Sequence, residues 1–177
     1  MKSTCRFIYC YRNPKDVAVS YWNHIKAFRQ HYGEKAANYT FPEFFDEIFT
    51  QEKVCEFALW EDHVIHWLKE ANTDKILFLS YEDLSENTER ELRKMISFLE
   101  LKVTEEHIAR VLDASSFDTM KNNGAVNKKH HTGNDGNFIR KGKVGGWMET
   151  LTQEQSVFLD VGIEKVRKAG GYIRCSL

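Results

Sequence analysis

Residues 6–22 read RFIYCYRNPKDVAVSYW and predict a strand that leads through one tight turn into a helix. The first six of these residues are mainly aromatic or β-branched, which favours a strand. Asn13 is a good N-cap, Pro14 suits the first helical position, and Asp16 lies where the helix dipole favours an acid. Apolar residues then recur at helical spacing: Val17, Tyr21, Ile25 and Phe28. Arg12 therefore stands at the turn between strand and helix.

A second strand and several helices are predicted in the rest of the chain. Residues 76–79 are continuously apolar, which predicts a strand buried on both faces. Helices are predicted over 41–49, 53–71, 87–99, 105–113 and from Thr152 to the Gly170-Gly171 pair. Residues 31–40 are predicted to form a surface loop, and 121–146 form the longest irregular region, whose length is typical of a functional or mobile loop. The alternation indicates an α/β domain with a parallel sheet, and two strands are so few that the chain reads as part of such a domain.

The composition excludes several classes of protein. The formal net charge is −1, whereas a general nucleic-acid binder is usually basic, so no nucleic-acid partner is predicted and any anion site is local. No apolar run of about 18 residues is present, so no membrane span is predicted. The four cysteines form no C-x-x-C pair and are interpreted as reduced, mostly buried thiols of a cytosolic protein. His63 and His66 share a predicted helix but lack a third ligand, so no metal is predicted.

Residues 137–147, NFIRKGKVGGW, have the composition of an anion-binding loop. Arg140 can grip a phosphate through two N–H groups, Lys141 adds a point charge, and Gly142 exposes the backbone N–H. No G-x-x-x-x-G-K-[ST] pattern runs through the segment, so it is not a Walker loop. A mobile basic loop without a ligand is the alternative interpretation.

Other candidate residues lie at the predicted strand ends. Arg12 precedes a helix N-terminus, which is a ready anion site, and Ser20 follows about two turns later on a face that Arg12 could share. On these two residues alone, an exposed arginine and a solvated serine are the preferred interpretation. Tyr81 ends the second strand, and ligands of open parallel sheets bind in a crevice at such strand ends, so Tyr81 and Arg12 could border one crevice. An edge tyrosine that packs on the next helix is an equally good interpretation of Tyr81. Phe117 could stack on a base or belong to the core.

Four segments, in this order and at about the family's spacing, resemble the cytosolic sulfotransferases: YRNPKDVAVSYW, FLSYEDL, SSFDTMKNN and NFIRKGKVGGW. The resemblance covers nearly the whole chain and corresponds to the C-terminal portion of the family. It implies a single, partial domain over 1–177 with a parallel-sheet, P-loop-NTPase-like three-layer fold that lacks its N-terminal strands. It also implies a cytoplasmic enzyme that transfers a sulfuryl group from 3′-phosphoadenosine 5′-phosphosulfate (PAPS) to a hydroxyl or amine of a small molecule, without a metal.

The resemblance also implies which residues bind the nucleotide. Arg12 and Ser20 match positions that hold its 3′-phosphate, and Arg140, Lys141 and Gly142 match positions that close on the same phosphate. The positions that surround the adenine and ribose correspond to Tyr81, Ser115, Phe117 and Met120. Two further nucleotide-binding candidates come from the segment of Arg140: Phe138 and Ile139. The anion expected here is therefore the 3′-phosphate of PAPS or of its product, adenosine 3′,5′-bisphosphate (PAP).

The chain departs from the family pattern at two places near the glycines. The family usually reads G-x-x-G-D-W where this chain has Gly145-Gly146-Trp147. The positions that align with the family's dimer patch are Met148, Thr152, Gln153 and Val157. Of these, the threonine alone matches, so dimerisation through this patch is not expected.

A larger departure concerns the catalytic groups. The family's first half carries a segment resembling T-Y-P-K-S-G-T-T-W, which grips the 5′-phosphosulfate, and a histidine that acts as the general base. Neither is found in these 177 residues, so the chain is expected to be a truncated gene product, part of a longer chain or a divergent remnant. The leading hypothesis is a sulfotransferase of which these residues are an incomplete polypeptide. The alternative is a non-catalytic nucleotide-binding remnant or a partner of a full-length relative. The acceptor class stays open among phenols, steroids, alcohols and amines.

Overall fold

The computed structural model describes residues 5–50, 59–70, 74–127 and 139–174, which form two strands surrounded by helices. The strands are β1 (Phe7–Tyr11) and β2 (Ile76–Ser80). The α-helices are α1 (Pro14–Ala27), α2 (Arg29–Tyr32), α3 (Glu34–Ala37), α4 (Phe41–Phe44), α5 (Trp60–Glu70), α6 (Tyr81–Glu86), α7 (Thr88–Leu99), α8 (Glu105–Ala114), α9 (Phe117–Asn122) and α10 (Gln153–Lys168). A π-helical turn, Phe45–Phe49, continues α4, and a 3₁₀ turn, Gly146–Glu149, precedes α10.

The two strands pair in parallel, with Tyr11 opposite Ser80 at their carboxyl ends. One side of β1 packs on α5, where the Tyr9 ring stacks on Trp67 with ring centroids 5.1 Å apart. The opposite side of β1 carries Ile8, which is 39% exposed. Side chains alternate between the two faces of a strand, so Ile8 points away from α5. That face is covered in part, because Leu79 of β2, which pairs with Cys10, is buried whereas Ile8 is not.

The prediction that residues 76–79 are buried on both faces is therefore wrong for most of β2. Leu79 is 2% exposed, but Ile76–Phe78 are half-buried. The apolar run predicted the strand correctly, but burial depends on what covers each face. Cys10, on the same face of β1 as Ile8, is an exposed thiol, and Cys5 is exposed as well, so neither of the described cysteines is buried as expected. Cys55 and Cys175 lie outside the described residues.

Helix α10 connects two apolar clusters that hold the helices together. Its Leu159 belongs to a cluster whose other buried members are Ala18, Val19, Ile25, Phe41, Phe44 and Phe45. Its Ile163 and Val166 belong to a second cluster with Val64 of α5 and Ile173. Because one helix contributes to both clusters, α1 and α5 are held on opposite parts of the same 16-residue element.

Helix ends follow the local signals in the sequence. Asn13 caps α1 by accepting a hydrogen bond from the Lys15 N–H at 3.0 Å, and Thr152 forms a capping box with Gln155 at the start of α10. The region 31–40, predicted as a loop, instead contains the end of α2 and the whole of α3. Residues 53–58 and 71 of the helix predicted over 53–71 lie outside the described residues. Among the described helices, none is both long and apolar enough to cross a bilayer.

Gly171 is predicted to be essential for the packing at the end of α10. A Cβ at this position would lie 2.5 Å from Val166 Cγ1, 2.9 Å from Leu68 Cδ1 and 3.0 Å from the Val166 carbonyl oxygen. Gly171→Ala is therefore expected to lower the free energy of unfolding by about 1–3 kcal/mol, measured by urea denaturation. Gly124→Ala is the control, because a Cβ there meets nothing within 4 Å. Equal stability of the two variants would contradict the packing argument.

Candidate functional site

The carboxyl ends of the two strands bring Arg12 and Tyr81 together. Arg12 follows β1 directly, and Tyr81 is the first residue of α6, one position beyond the end of β2. The Arg12 guanidinium carbon lies 4.1 Å from the centroid of the Tyr81 ring, a cation–π contact. The two residues are therefore in contact where the two strands end; that they border a ligand crevice stays a prediction.

Buried polar groups hold the two strand-to-helix turns against each other. Asn13 donates its backbone N–H to Glu82 Oε1 at 2.9 Å and its side-chain N–H to the Arg174 carbonyl oxygen at 3.2 Å. Asn13 and Glu82 are each 3% exposed. Since an unpaired polar group at this depth would be costly, these bonds fix the start of α1 relative to α6.

The glycine-containing loop is held against the first turn of α1. Asp16 accepts hydrogen bonds from the backbone N–H of Gly145 at 2.8 Å and of Trp147 at 3.1 Å. Arg12 Nη2 donates to the Lys143 carbonyl oxygen at 2.9 Å and lies 3.7 Å from Asp16 Oδ2. Two side chains of the strand–helix turn thus contact a loop about 130 positions later in the sequence.

Phe117 and Gly142, both predicted to bind the nucleotide, are in direct contact. Gly142 has a φ of +61°, and a Cβ on it would lie 2.5 Å from Phe117 Cε2. Glycine is required here both by the backbone conformation and by the ring. Ser115 and Met120, on either side of Phe117 in sequence, are half-buried. The aromatic segment and the glycine of the basic loop therefore form one surface.

The basic residues of the loop are exposed. Arg140 and Lys141 both lie at the surface, and Lys141 Nζ forms an ion pair with Glu149 Oε2 at 2.8 Å. The hydrogen bond from Lys141, and its charge, lower the pKa of the Glu149 carboxyl below its ordinary value. Lys141 is thus oriented towards a carboxylate of the same chain.

Ser20 is exposed on the second turn of α1, and the helical rise puts it about 9 Å along the axis from Pro14.

Asn127 connects the end of α9 to Ile139. It is fully buried, donates to the Lys121 carbonyl oxygen at 2.8 Å, and accepts from the Ile139 N–H at 2.8 Å. Phe138, also predicted to bind the nucleotide, lies outside the described residues. The sequence reasoning missed Asn127, because an asparagine within a polar, irregular region carries no distinguishing local signal.

One histidine of the pair on α5, His63, packs against the sheet. His63 Nδ1 and the Tyr9 hydroxyl are 2.8 Å apart, beside the sheet, and burial raises the pKa of Tyr9 to about 12. His66 is exposed on the same helix. In the part of the chain that the structure describes, no group of three or more His, Cys, Asp or Glu side chains is arranged to hold a metal ion.

A known family of proteins matches this chain over most of its length. The model of the sulfotransferase domain matches residues 1–171. The chain belongs to the sulfotransferase family. Cytosolic sulfotransferase 12 of Arabidopsis thaliana is 33% identical over 174 residues, which cover 96% of this chain and 52% of that protein. Sulfotransferase 1E1 of Homo sapiens is 37% identical over 153 residues, which cover 84% of this chain and 50% of the relative. The chain spans about half the length of these two relatives.

Solved structures agree with this assignment. A crystal structure of the mouse sulfotransferase SULT7A1 complexed with PAP matches with a TM-score of 0.77 and 30% identity, covering 94% of this chain and 59% of that chain. Retinol dehydratase, in a complex with retinol and PAP, shares the fold with a TM-score of 0.75 at 24% identity, covering 97% of this chain and 49% of that chain. The resemblance to the cytosolic sulfotransferases and the α/β fold predicted from the sequence are confirmed.

Asn127→Ala is predicted to loosen the connection between α9 and Ile139. The change leaves the Lys121 carbonyl and the Ile139 N–H without these partners, so the free energy of unfolding is expected to fall by about 1–3 kcal/mol. The amide of Ile139 is expected to exchange faster with solvent. Urea denaturation and amide hydrogen exchange measure the two effects. Asn122→Ala, at an exposed position of α9, is the control, and a matching result for both variants would contradict the anchoring role.

Proposed function

We propose that this chain forms the 3′-phosphate-binding part of a sulfotransferase, which transfers a sulfuryl group from PAPS to a hydroxyl or amine of a small molecule. The observation that carries the proposal is the meeting of Arg12, Tyr81 and the loop of Gly145 at the carboxyl ends of two parallel strands. Ligands of open parallel sheets bind in the crevice outside these strand ends. Family membership and the PAP complex of the mouse relative support the same nucleotide.

The described side chains suit a phosphomonoester. Arg12 contributes a guanidinium at the start of α1, where the helix dipole also favours an anion. Its Nε is buried and has no hydrogen-bond partner among the residues that the structure describes, so the side chain retains donor capacity for a ligand. Arg140 is exposed and can reach an anion in solution, whereas Lys141 must first leave Glu149. An exposed ion pair of this kind contributes only about 0–1 kcal/mol, so a phosphate can displace it.

The aromatic surface suits the nucleoside. Phe117, seated on Gly142, has a ring face suitable for a base, and Tyr81 lies beside Arg12 at the phosphate end. The remaining proposed nucleotide contacts are Ser20, Ser115, Met120, Phe138 and Ile139. No metal or nucleic acid is required by this proposal.

The acceptor and the cellular location are proposed only at the level of a class. The acceptor is a phenol, steroid, alcohol or amine. One relative, from Oryctolagus cuniculus, is named amine sulfotransferase and is 34% identical over 162 residues. The cytoplasm is the expected location, because the Arabidopsis relative is itself named a cytosolic sulfotransferase.

A second candidate function is a non-catalytic nucleotide-binding remnant or a partner of a full-length relative. It is favoured by one observation, that these 177 residues contain no segment resembling T-Y-P-K-S-G-T-T-W. We propose that the groups that bind the 5′-phosphosulfate and the general base are not supplied by these residues. A transcript with such a segment in frame upstream of Met1 would favour the enzyme over the remnant.

The nucleotide proposal predicts selectivity for PAP over adenosine 5′-monophosphate. All proposed phosphate contacts belong to the 3′ end, so PAP is expected to bind weakly but more tightly than the monophosphate. Charge-assisted hydrogen bonds contribute about 1.5–3 kcal/mol each, so Arg140→Ala is expected to weaken PAP binding about tenfold or more. Isothermal titration calorimetry measures both effects. Arg93→Ala, whose guanidinium pairs with Glu89 and Glu105 away from the loop, is the control. Equal affinity for the two nucleotides would overturn the proposal.

The 177-residue chain alone is predicted to have little or no transfer activity. In the reaction the acceptor oxygen loses its proton and bonds to sulfur, while the bond from sulfur to the bridging oxygen of PAPS breaks. A missing donor for the charge on the leaving oxygen typically costs about 2.7–4 kcal/mol, and a missing general base a further 10²–10⁴-fold, roughly.

Transfer from PAPS to a panel of phenols and steroids is the assay, with a full-length relative as the positive control. Turnover by the pure chain within about tenfold of that control, a ratio far smaller than the losses above, would contradict the prediction. It would mean that the base and the sulfuryl-binding groups lie within these residues.

A further inference from the structure

We propose that Asp16 is a positioning residue for the nucleotide site, whose carboxylate holds the glycine loop in the geometry that receives the 3′-phosphate. This inference rests on the proposed function. Asp16 is 3% exposed, and its two oxygens accept hydrogen bonds from Gly145 at 2.8 Å and from Trp147 at 3.1 Å. It therefore does more than complement the dipole of its own helix.

The chemistry of these bonds favours a carboxylate over an amide. Both partners of Asp16 are backbone N–H donors, so both of its oxygens must accept. Hydrogen bonds to an ionised acceptor are shorter and stronger than neutral ones, which suits a buried charge that has to be compensated. An asparagine of the same shape has one acceptor oxygen, and its NH₂ group would face the second N–H.

The position of Asp16 also constrains Arg12. The carboxylate lies 3.7 Å from Arg12 Nη2, which in turn donates to the Lys143 carbonyl oxygen at 2.9 Å. This directs one edge of the guanidinium towards the loop, while Nε has no hydrogen-bond partner within the described ranges. Asp16 therefore orients two parts of the phosphate site together, the loop that continues from Gly142 and the arginine of the strand–helix turn.

The part of the loop proposed to contact the ligand is its basic end, residues 140–142. Residues 140–142 precede the anchored turn by only a few positions, and Gly142 is fixed from the other side by the Phe117 ring. Release of Gly145 and Trp147 would let the basic end move away from Arg12. Affinity for the 3′-phosphate is then expected to fall even though Asp16 touches no ligand.

The test compares Asp16→Asn with Asp62→Asn in the full chain. Each aspartate is the third residue of its helix, α1 or α5, so both changes remove the same interaction with a helix dipole. Asp62 is exposed and lies outside the site. Asp16→Asn is expected to raise the dissociation constant of PAP about tenfold or more and to reduce its preference over adenosine 5′-monophosphate. Asp62→Asn is expected to leave both within about twofold.

Amide hydrogen exchange supplies a second measurement that does not depend on the nucleotide. In the wild-type protein without ligand, the amides of Gly145 and Trp147 are expected to be protected, and Asp16→Asn is expected to remove this protection. Unprotected amides in the wild type would overturn the inference even if the variant does not fold.

The outcomes also separate this inference from the proposed function. A wild-type protein that fails to prefer PAP overturns the proposed function and with it the inference. A wild-type protein that prefers PAP, with an Asp16→Asn variant that loses amide protection but keeps that preference, overturns the inference alone, because Asp16 would then be merely structural.

Discussion

The parallel pairing of Tyr11 with Ser80 is the constraint from which the site follows. It makes both strands end at one level, so that the next residues, Arg12 and Tyr81, meet above the sheet edge. The helices that start there are then close enough for the buried Glu82 to take the N–H of Asn13. A register shift of one residue would move the guanidinium off the ring and separate the two turns.

The segment 172–174, which follows α10, also holds the ends of the strands in place. The Tyr11 hydroxyl donates to the Tyr172 carbonyl oxygen at 2.6 Å, and the Arg174 carbonyl oxygen accepts from Asn13. The Arg174 side chain forms an ion pair with Glu86 at the end of α6. Residues that follow α10 therefore contact the strand-to-helix turn after β1, and the glycine loop contacts the same turn through Arg12 and Asp16. Sites held from several distant segments keep their geometry better than a site on one loop.

Features encoded by neighbouring residues could be predicted from the sequence. Asn13 and Thr152 cap helices at the predicted positions, and the apolar run of β2 forms a strand. The four family segments were sufficient to predict the family and the fold. These signals act over a few residues or through a familiar pattern, so no knowledge of distant contacts is needed.

Features that depend on distant partners could not be predicted. Nothing near Asp16 in the sequence indicates that it accepts hydrogen bonds from residues 129 and 131 positions later. The depth of Asn127 and the exposure of Ile8 likewise depend on which elements cover them. The contact between Phe117 and Gly142 was implied only through their shared ligand. Tertiary packing decides such features, and local propensity does not encode it.

The ion pair between Lys141 and Glu149 gives the basic loop an internal counter-ion. An incoming anion at Lys141 replaces a carboxylate already held at 2.8 Å, so a singly charged ion in the medium gains little by the exchange. A phosphomonoester carries up to two charges and three acceptor oxygens near neutral pH, so it can compensate for the displaced carboxylate. The loop is thus partly neutralised before its ligand arrives, and singly charged ions such as chloride or acetate are poor competitors for it.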